Sequence, residues 1–170
     1  MKKLLTIIFI IAISTLAYGV ETLYPIDIIE IIDGDSIRCD IHGYKNTIYT
    51  NENVRLYSLD TAENKRTKDR LEKFAGKLTQ RYVEERVIKS ECYISYIKEG
   101  KFGRDIVKVF YTHRGKLVNL NKELNDLGLS KKFYGKVAKK EWSRQELFHM
   151  VAVINYSMLP EAYSIYHIEN

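Results

Sequence analysis

Three short segments hold the residues whose types and spacing could do chemistry: Ile32-Asp-Gly-Asp-Ser-Ile-Arg38, Val54-Arg-Leu-Tyr-Ser-Leu-Asp-Thr-Ala-Glu63 and Lys101-Phe-Gly-Arg104. They supply three carboxylates, Asp35, Asp60 and Glu63, and two arginines, Arg55 and Arg104. Carboxylate oxygens bind hard cations, and a guanidinium grips phosphate oxygens as a planar fork. Cleavage of a phosphodiester needs both, together with an activated water. An Asp-Gly-Asp run alone is ordinarily a turn, and a lone arginine is ordinarily solvated. Two arginines framing three carboxylates, all on strand-like flanks, favour the chemical reading. No cluster of His or Cys is present, which argues against a zinc site.

The elements that must position these groups are legible from periodicity. Residues 26–32 read as a strand. After the Asp33-Gly-Asp35 turn, Ile37, Cys39 and Ile41 alternate with Ser36, Arg38 and Asp40, giving one buried and one wet face. Residues 42–53 are polar and hold a turn and the start of a third strand, in which Val54, Leu56 and Ser58 alternate with Arg55, Tyr57 and Leu59. A helix follows, with Leu71, Phe74, Ala75, Leu78 and Tyr82 as its apolar stripe. Gly76 lies inside it and costs about 1 kcal/mol relative to Ala, which allows close packing in exchange. Residues 92–97 and 106–111 read as two more strands. Leu120, Leu124 and Leu127 mark a short helix, with Asn119 as N-cap and Gly128 as its stop. Ser143-Arg-Gln-Glu146 has the form of a capping box opening a last helix that ends before Pro160. Five strands with one long helix between the third and fourth imply an α+β, mainly β chain: a five-stranded OB-type Greek-key barrel with packed helices.

The three motifs also resemble the thermonuclease, or staphylococcal nuclease-like, family. That family reads Asp-Gly-Asp-Thr, Arg-Leu-x-x-x-Asp-Thr-Pro-Glu and Lys-Tyr-Gly-Arg, where this chain has Asp33-Gly-Asp-Ser36, Arg55-Leu-Tyr-Ser-Leu-Asp-Thr-Ala-Glu63 and Lys101-Phe-Gly-Arg104. The resemblance spans about residues 25–140. It implies Ca2+ held by Asp35, Asp60 and the carbonyl of Thr61. It implies Glu63 as the general base or the group that orients the attacking water, and Arg55 and Arg104 on the scissile phosphate. It places Lys101, Phe102 and Tyr134 at the substrate, with Tyr134 stacking on a base. Three departures stand out. Ala62 replaces proline and should loosen the loop that carries Glu63. Phe102 replaces a tyrosine whose hydroxyl meets a terminal phosphate. Ser36 replaces threonine, a mild change. All five charged groups are present.

The 170 residues argue for one domain, and the N-terminus is separable from it. Lys2 and Lys3 precede an apolar run from Leu4 to Leu16 and then Ala17-Tyr18-Gly19, the form of a secretory signal cleaved before Val20. Residues 1–19 are read as this signal, 20–141 as the nuclease-like barrel domain and 142–170 as a C-terminal helical tail packed on or flanking it. Loss of the signal takes the formal charge from +5 to +3, compatible with a polyanionic partner without identifying one. Cys39 and Cys92 are either a disulfide, as export permits, or two small core residues.

The expectation is thus a monomeric, secreted or periplasmic, calcium-dependent nuclease without a retained membrane span. It would cut DNA and RNA with low sequence specificity and leave 3′-phosphate ends. The alternative is a non-catalytic OB-type nucleic-acid-binding module. An oligosaccharide-binding barrel is a third reading that rests on the fold alone.

Overall fold

A computed structural model of the chain describes residues 21–100, 103–135 and 140–158. Three antiparallel strands come first, β1 (Tyr24–Asp33), β2 (Ser36–Tyr44) and β3 (Thr47–Leu56), followed by a two-residue strand β4 (Leu59–Asp60). Helix α1 (Arg70–Val87) leads to β5 (Cys92–Glu99), β6 (Asp105–His113) and β7 (Lys116–Asn119). Helix α2 (Leu120–Asp126), strand β8 (Lys131–Lys132) and helix α3 (Arg144–Ser157) complete the order.

The main sheet runs β3-β2-β1-β5-β6-β7, and β3 also pairs with β6 in parallel. That last pairing closes β1, β2, β3, β6 and β5 into the expected five-stranded barrel. The barrel interior is Ile26, Ile37, Cys39, Ile41, Val54, Leu56, Ile94, Val107 and Val109, the inward set of each period-2 pattern.

Four local features refine the sequence reading or decide between its alternatives. The polar stretch 42–53 is mostly paired strand: β2 and β3 continue to a two-residue hairpin at Lys45 and Asn46, whose φ of 48° and 59° match the twist of the flanking strands. Asp60 does not end the third strand. Ser58 has φ 60°, which breaks the alternation, turns the chain, and starts β4 paired to β8.

The buried face of α1 is also rotated from the Leu71/Phe74 stripe. Ala75, Gly76, Thr79, Tyr82, Val83 and Val87 are buried, while Phe74 is 51% exposed. Small residues decide this face because the helix backbone approaches the barrel loops closely. A Cβ on Gly76 would stand 2.6 Å from the Ala62 carbonyl oxygen, and one on Gly34 would stand 2.7 Å from Thr79 Cγ2. Finally, Cys39 and Cys92 are both free and buried. They face inward from β2 and β5, with β1 between them, where Ile28 pairs with Cys39 and Ile26 with Cys92. Two strand spacings are about 9–10 Å, beyond the roughly 7 Å Cα limit for a disulfide.

The last helix opens on the expected capping box, in which the Ser143 side chain accepts from the Glu146 amide and the Glu146 carboxylate accepts from the Ser143 amide. Leu147, Met150 and Ile154 bury its inner face against the core. Lys131 of β8 ties it down: its ammonium donates to the Glu141 carbonyl at 2.6 Å and to Glu146 at 2.9 Å, and lies over the Trp142 ring. No helix among the described residues is long and apolar enough to cross a membrane.

Candidate active site

The β2–β3 register sets Ser36 opposite Arg55, so the turn residue Asp35 lies beside the Arg55 side chain. The guanidinium forks onto Asp35, Nη1 to Oδ1 and Nη2 to Oδ2, each at 2.9 Å. Nη2 also donates to the Leu59 carbonyl at 3.2 Å and reaches Asp60 Oδ1 at 3.5 Å. The Thr61 amide donates to Asp35 Oδ2 at 3.2 Å, and the Ser36 hydroxyl donates to Oδ1 at 3.0 Å. Asp35 and Asp60, from two distant segments, thus meet at one arginine, and Thr61 joins them through Asp35. Asp35 and Asp60 are each only 3% exposed.

Two buried carboxylates face one guanidinium there. Burial pushes the Asp35 carboxyl above its ordinary range, and the charge of Arg55 pulls it back only in part. The side-chain oxygens that meet at Arg55 are hard carboxylate oxygens, those of Asp35 and Asp60. Such a set, short of positive charge, fits a hard divalent ion with water completing its shell. Among the described residues no group of three or more His, Cys, Asp or Glu side chains gathers as a metal cage. Asp35 and Asp60 are the side chains here that could hold a hard divalent ion.

In front of this buried group opens a cleft of about 840 Å³. Arg55 forms part of its floor, and Arg104, Glu63 and Tyr134 line its walls. Arg104 arrives by the parallel β3–β6 pairing, which sets Arg55 beside Ile106 and Val54 beside Asp105. Gly103, at φ 70°, supplies the turn that precedes Arg104. Lys101 and Phe102 lie outside the described residues.

Glu63 sits on the loop between β4 and α1. At the base of that loop Ala62 is buried. The Gly76 backbone packs on Ala62 and Glu63, the Glu63 amide faces Glu72 Oε1 at 3.4 Å, and the Asn64 amide side chain donates to the Ile32 carbonyl and to Gln80.

The cleft also contains residues that motif reading did not single out. Lys65 and Arg66, shortly after Glu63 in the chain, line it, as does Lys98. With Arg55 and Arg104 they outnumber the acids Asp33, Glu63 and Glu99 at the cleft. The Lys-Arg pair two residues after Glu63 was the available signal. Tyr57 is a further wall residue, and its ring meets that of Tyr134 edge to face at a centroid distance of 6.0 Å. Its signal was the two-residue spacing from Arg55, which puts both on one strand face. Lys131, by contrast, is spent on α3 and Trp142 and is not presented to the cleft.

The staphylococcal nuclease homologue family matches residues 53–152. The chain belongs to that family. The matched span includes Arg55, Asp60, Glu63 and Arg104 and runs into α3, beyond the limit near residue 140 suggested by the motifs alone. Asp35 precedes the matched span, yet the fold delivers it onto Arg55. Comparison with curated proteins gives no match.

Proposed function

We propose that this member of the staphylococcal nuclease homologue family is an exported, calcium-dependent phosphodiesterase acting on DNA and RNA with low sequence specificity. The observation that carries the reading is the convergence of Arg55, Arg104 and Glu63 on one cationic cleft, with two buried carboxylates directly behind Arg55.

The residues divide the work as follows. Arg55 and Arg104 hold the scissile phosphate and match the charge that builds on its equatorial oxygens; guanidinium suits this because it stays charged and donates in a fork. Glu63 orients the attacking water and takes its proton. The P–O5′ bond breaks opposite the incoming oxygen, the leaving oxygen takes up a proton, and the products are a 3′-phosphate and a 5′-hydroxyl. Asp35, Asp60 and the Thr61 carbonyl would hold calcium, which when bound would supply charge relief on the phosphate and alignment of the water. Tyr134, 53% exposed at the cleft, offers a face for a base, and stacking of this kind tolerates any sequence.

Export rests on the basic–apolar–small pattern of residues 1–19, which lie outside the described residues. N-terminal sequencing of protein recovered from periplasm or medium should begin near Val20. Intact Met1 in a membrane fraction would reject cleavage.

The nuclease reading is tested with purified mature protein on denatured DNA and on RNA, in millimolar calcium and in chelator. Degradation in calcium that stops in chelator, with 3′-phosphate termini on the fragments, is the expected result. Equal cutting in chelator would remove the metal. Binding of both substrates without any cutting would make the protein a nucleic-acid-binding barrel instead.

A further inference from the structure

Strand β1 holds one residue more than its partner just before the Asp33-Gly-Asp35 turn. Ile31 pairs with Ile37 and Asp33 with Ser36, which leaves Ile32 as a bulge. The pairing of β1 with β5 runs from Tyr24 to Ile26, well short of this point. The carbonyls of Ile31 and Ile32 are taken instead by side-chain amides. Gln80 of α1 donates from Nε2 to the Ile31 carbonyl at 2.7 Å, and Asn64 donates from Nδ2 to the Ile32 carbonyl at 3.3 Å. Asn64 Nδ2 also donates to Gln80 Oε1 at 2.8 Å. The bulge lets one pair of touching amides reach two successive carbonyls, which a regular strand would point to opposite sides.

The directions of these bonds are forced. A carbonyl only accepts, so Gln80 must turn its NH2 group to Ile31, and its oxygen is left for Asn64. Asn64 must then turn its own NH2 group to both Gln80 and Ile32. Asn64 is 3% exposed, so a lost partner there is costly. It directly follows Glu63 in the chain. The relay therefore joins the loop of Glu63 to α1 and to the end of β1 from which Asp35 hangs. Asp35 itself is held separately, by the Arg55 fork and the Thr61 amide. Breaking the relay should release Glu63 and leave Asp35 in place.

We propose that Asn64 and Gln80 are positioning residues for Glu63, fixing its carboxylate relative to the Asp35 side of the cleft. The inference deepens the nuclease reading and rests on it for the role of Glu63. A group that must meet one water in one direction gains from a backbone that does not drift, and a displacement of about 1 Å can cost up to about 100-fold in rate.

The experiment compares full mature wild type with Asn64→Leu, Gln80→Met and the double variant on denatured DNA in calcium, well below their unfolding temperatures. Each single variant should lower kcat by about 10- to 100-fold, with KM and the calorimetric calcium affinity close to wild type. Hydrogen exchange should quicken around Glu63 and stay unchanged in the barrel strands. The double variant should lose no more than the worse single one, because one broken link already opens the relay. In a Glu63→Gln background, Asn64→Leu should lower the residual rate no further. Circular dichroism reports folding, and Gln80→Met, at a half-buried position on α1, carries the test where Asn64→Leu does not fold.

Folded variants that keep wild-type kcat overturn the relay, and cutting by wild type then leaves the nuclease reading intact. Losses that add in the double variant and persist without the Glu63 carboxylate also overturn it, because they mark a general structural role. Wild-type protein that binds single strands and never cuts overturns the nuclease reading, and the positioning role falls with it.

Discussion

Gly76 of α1 lies so close to Ala62 that a Cβ at position 76 would stand 2.6 Å from the Ala62 carbonyl oxygen and 2.8 Å from that of Glu63. The helix and the loop bearing Glu63 touch backbone to backbone. Gly76→Ala ought to raise helix propensity by about 1 kcal/mol, yet neither carbonyl is the free end of a side chain that can swing away. The variant should therefore lower the unfolding temperature and, by displacing Glu63, lower kcat more than it raises KM. Thermal unfolding and steady-state kinetics on denatured DNA check this. A more stable, fully active protein would show that the loop moves freely.

The two arginines should separate in their effects on stability. Arg55 is largely buried and forked onto Asp35, so Arg55→Lys leaves a buried carboxylate partly unpaired. Breaking a buried pair outright costs about 3–5 kcal/mol, and a lysine that still reaches Asp35 should cost less than that. Arg104 lines the cleft, and Arg104→Lys should leave the unfolding temperature close to wild type. Both should reduce turnover by about 100-fold or more, the scale of losing an oriented charge at a transition state. Equal unfolding temperatures for the two variants would contradict the geometry.

Asp35→Asn should separate cutting from binding. Asparagine keeps the size and turn preference of Asp35 but loses the charge that holds a hard cation. It also replaces one acceptor oxygen of the Arg55 fork with a donor, so a modest fall in stability is expected. The variant should still bind single-stranded DNA, more weakly as salt rises. Cleavage should be orders of magnitude slower, and calcium titrated calorimetrically should give no heat of specific binding. Wild-type cleavage by this variant would reduce Asp35 to a turn residue.

Glu146 provides a pH-dependent contact between α3 and β8. The hydrogen bond from Lys131, followed by the Ser143 amide, holds its carboxyl at about 2, below the usual carboxylate range. A carboxyl lowered on folding stabilises the fold above its unfolded pKa, about 4.3, and loses that contribution as pH falls through its folded value. Glu146 is half exposed, so the contribution is small, below about 1 kcal/mol. The unfolding-temperature gap between wild type and Glu146→Gln should be present at neutral pH and shrink as pH drops from about 5 toward 2. A gap that is constant with pH would assign the loss to the helix cap alone.

Much of this architecture was legible before any coordinates. Period-2 patterns at Ile37/Cys39/Ile41 and Val54/Leu56 marked barrel strands because a half-buried strand must alternate. The Ser143–Glu146 box and the Asn119 and Gly128 caps marked helix ends, because orphan backbone groups there need partners. Local chemistry also singled out Asp35, Arg55, Asp60, Glu63 and Arg104, since carboxylates and guanidinium groups on short motifs carry their function in their type. Tertiary structure alone decided the rest. The rotation of α1 depended on where backbone could approach backbone, so Gly76 and Thr79 outweighed the larger Phe74. The fate of Cys39 and Cys92 depended on β1 running between them. Lys131, in a basic stretch of the sequence, is taken up by Trp142 and Glu146. Tyr57 became a cleft wall through Asn121, 64 residues away. Each of these turned on contacts between segments distant in the chain, which periodicity and local propensity do not encode.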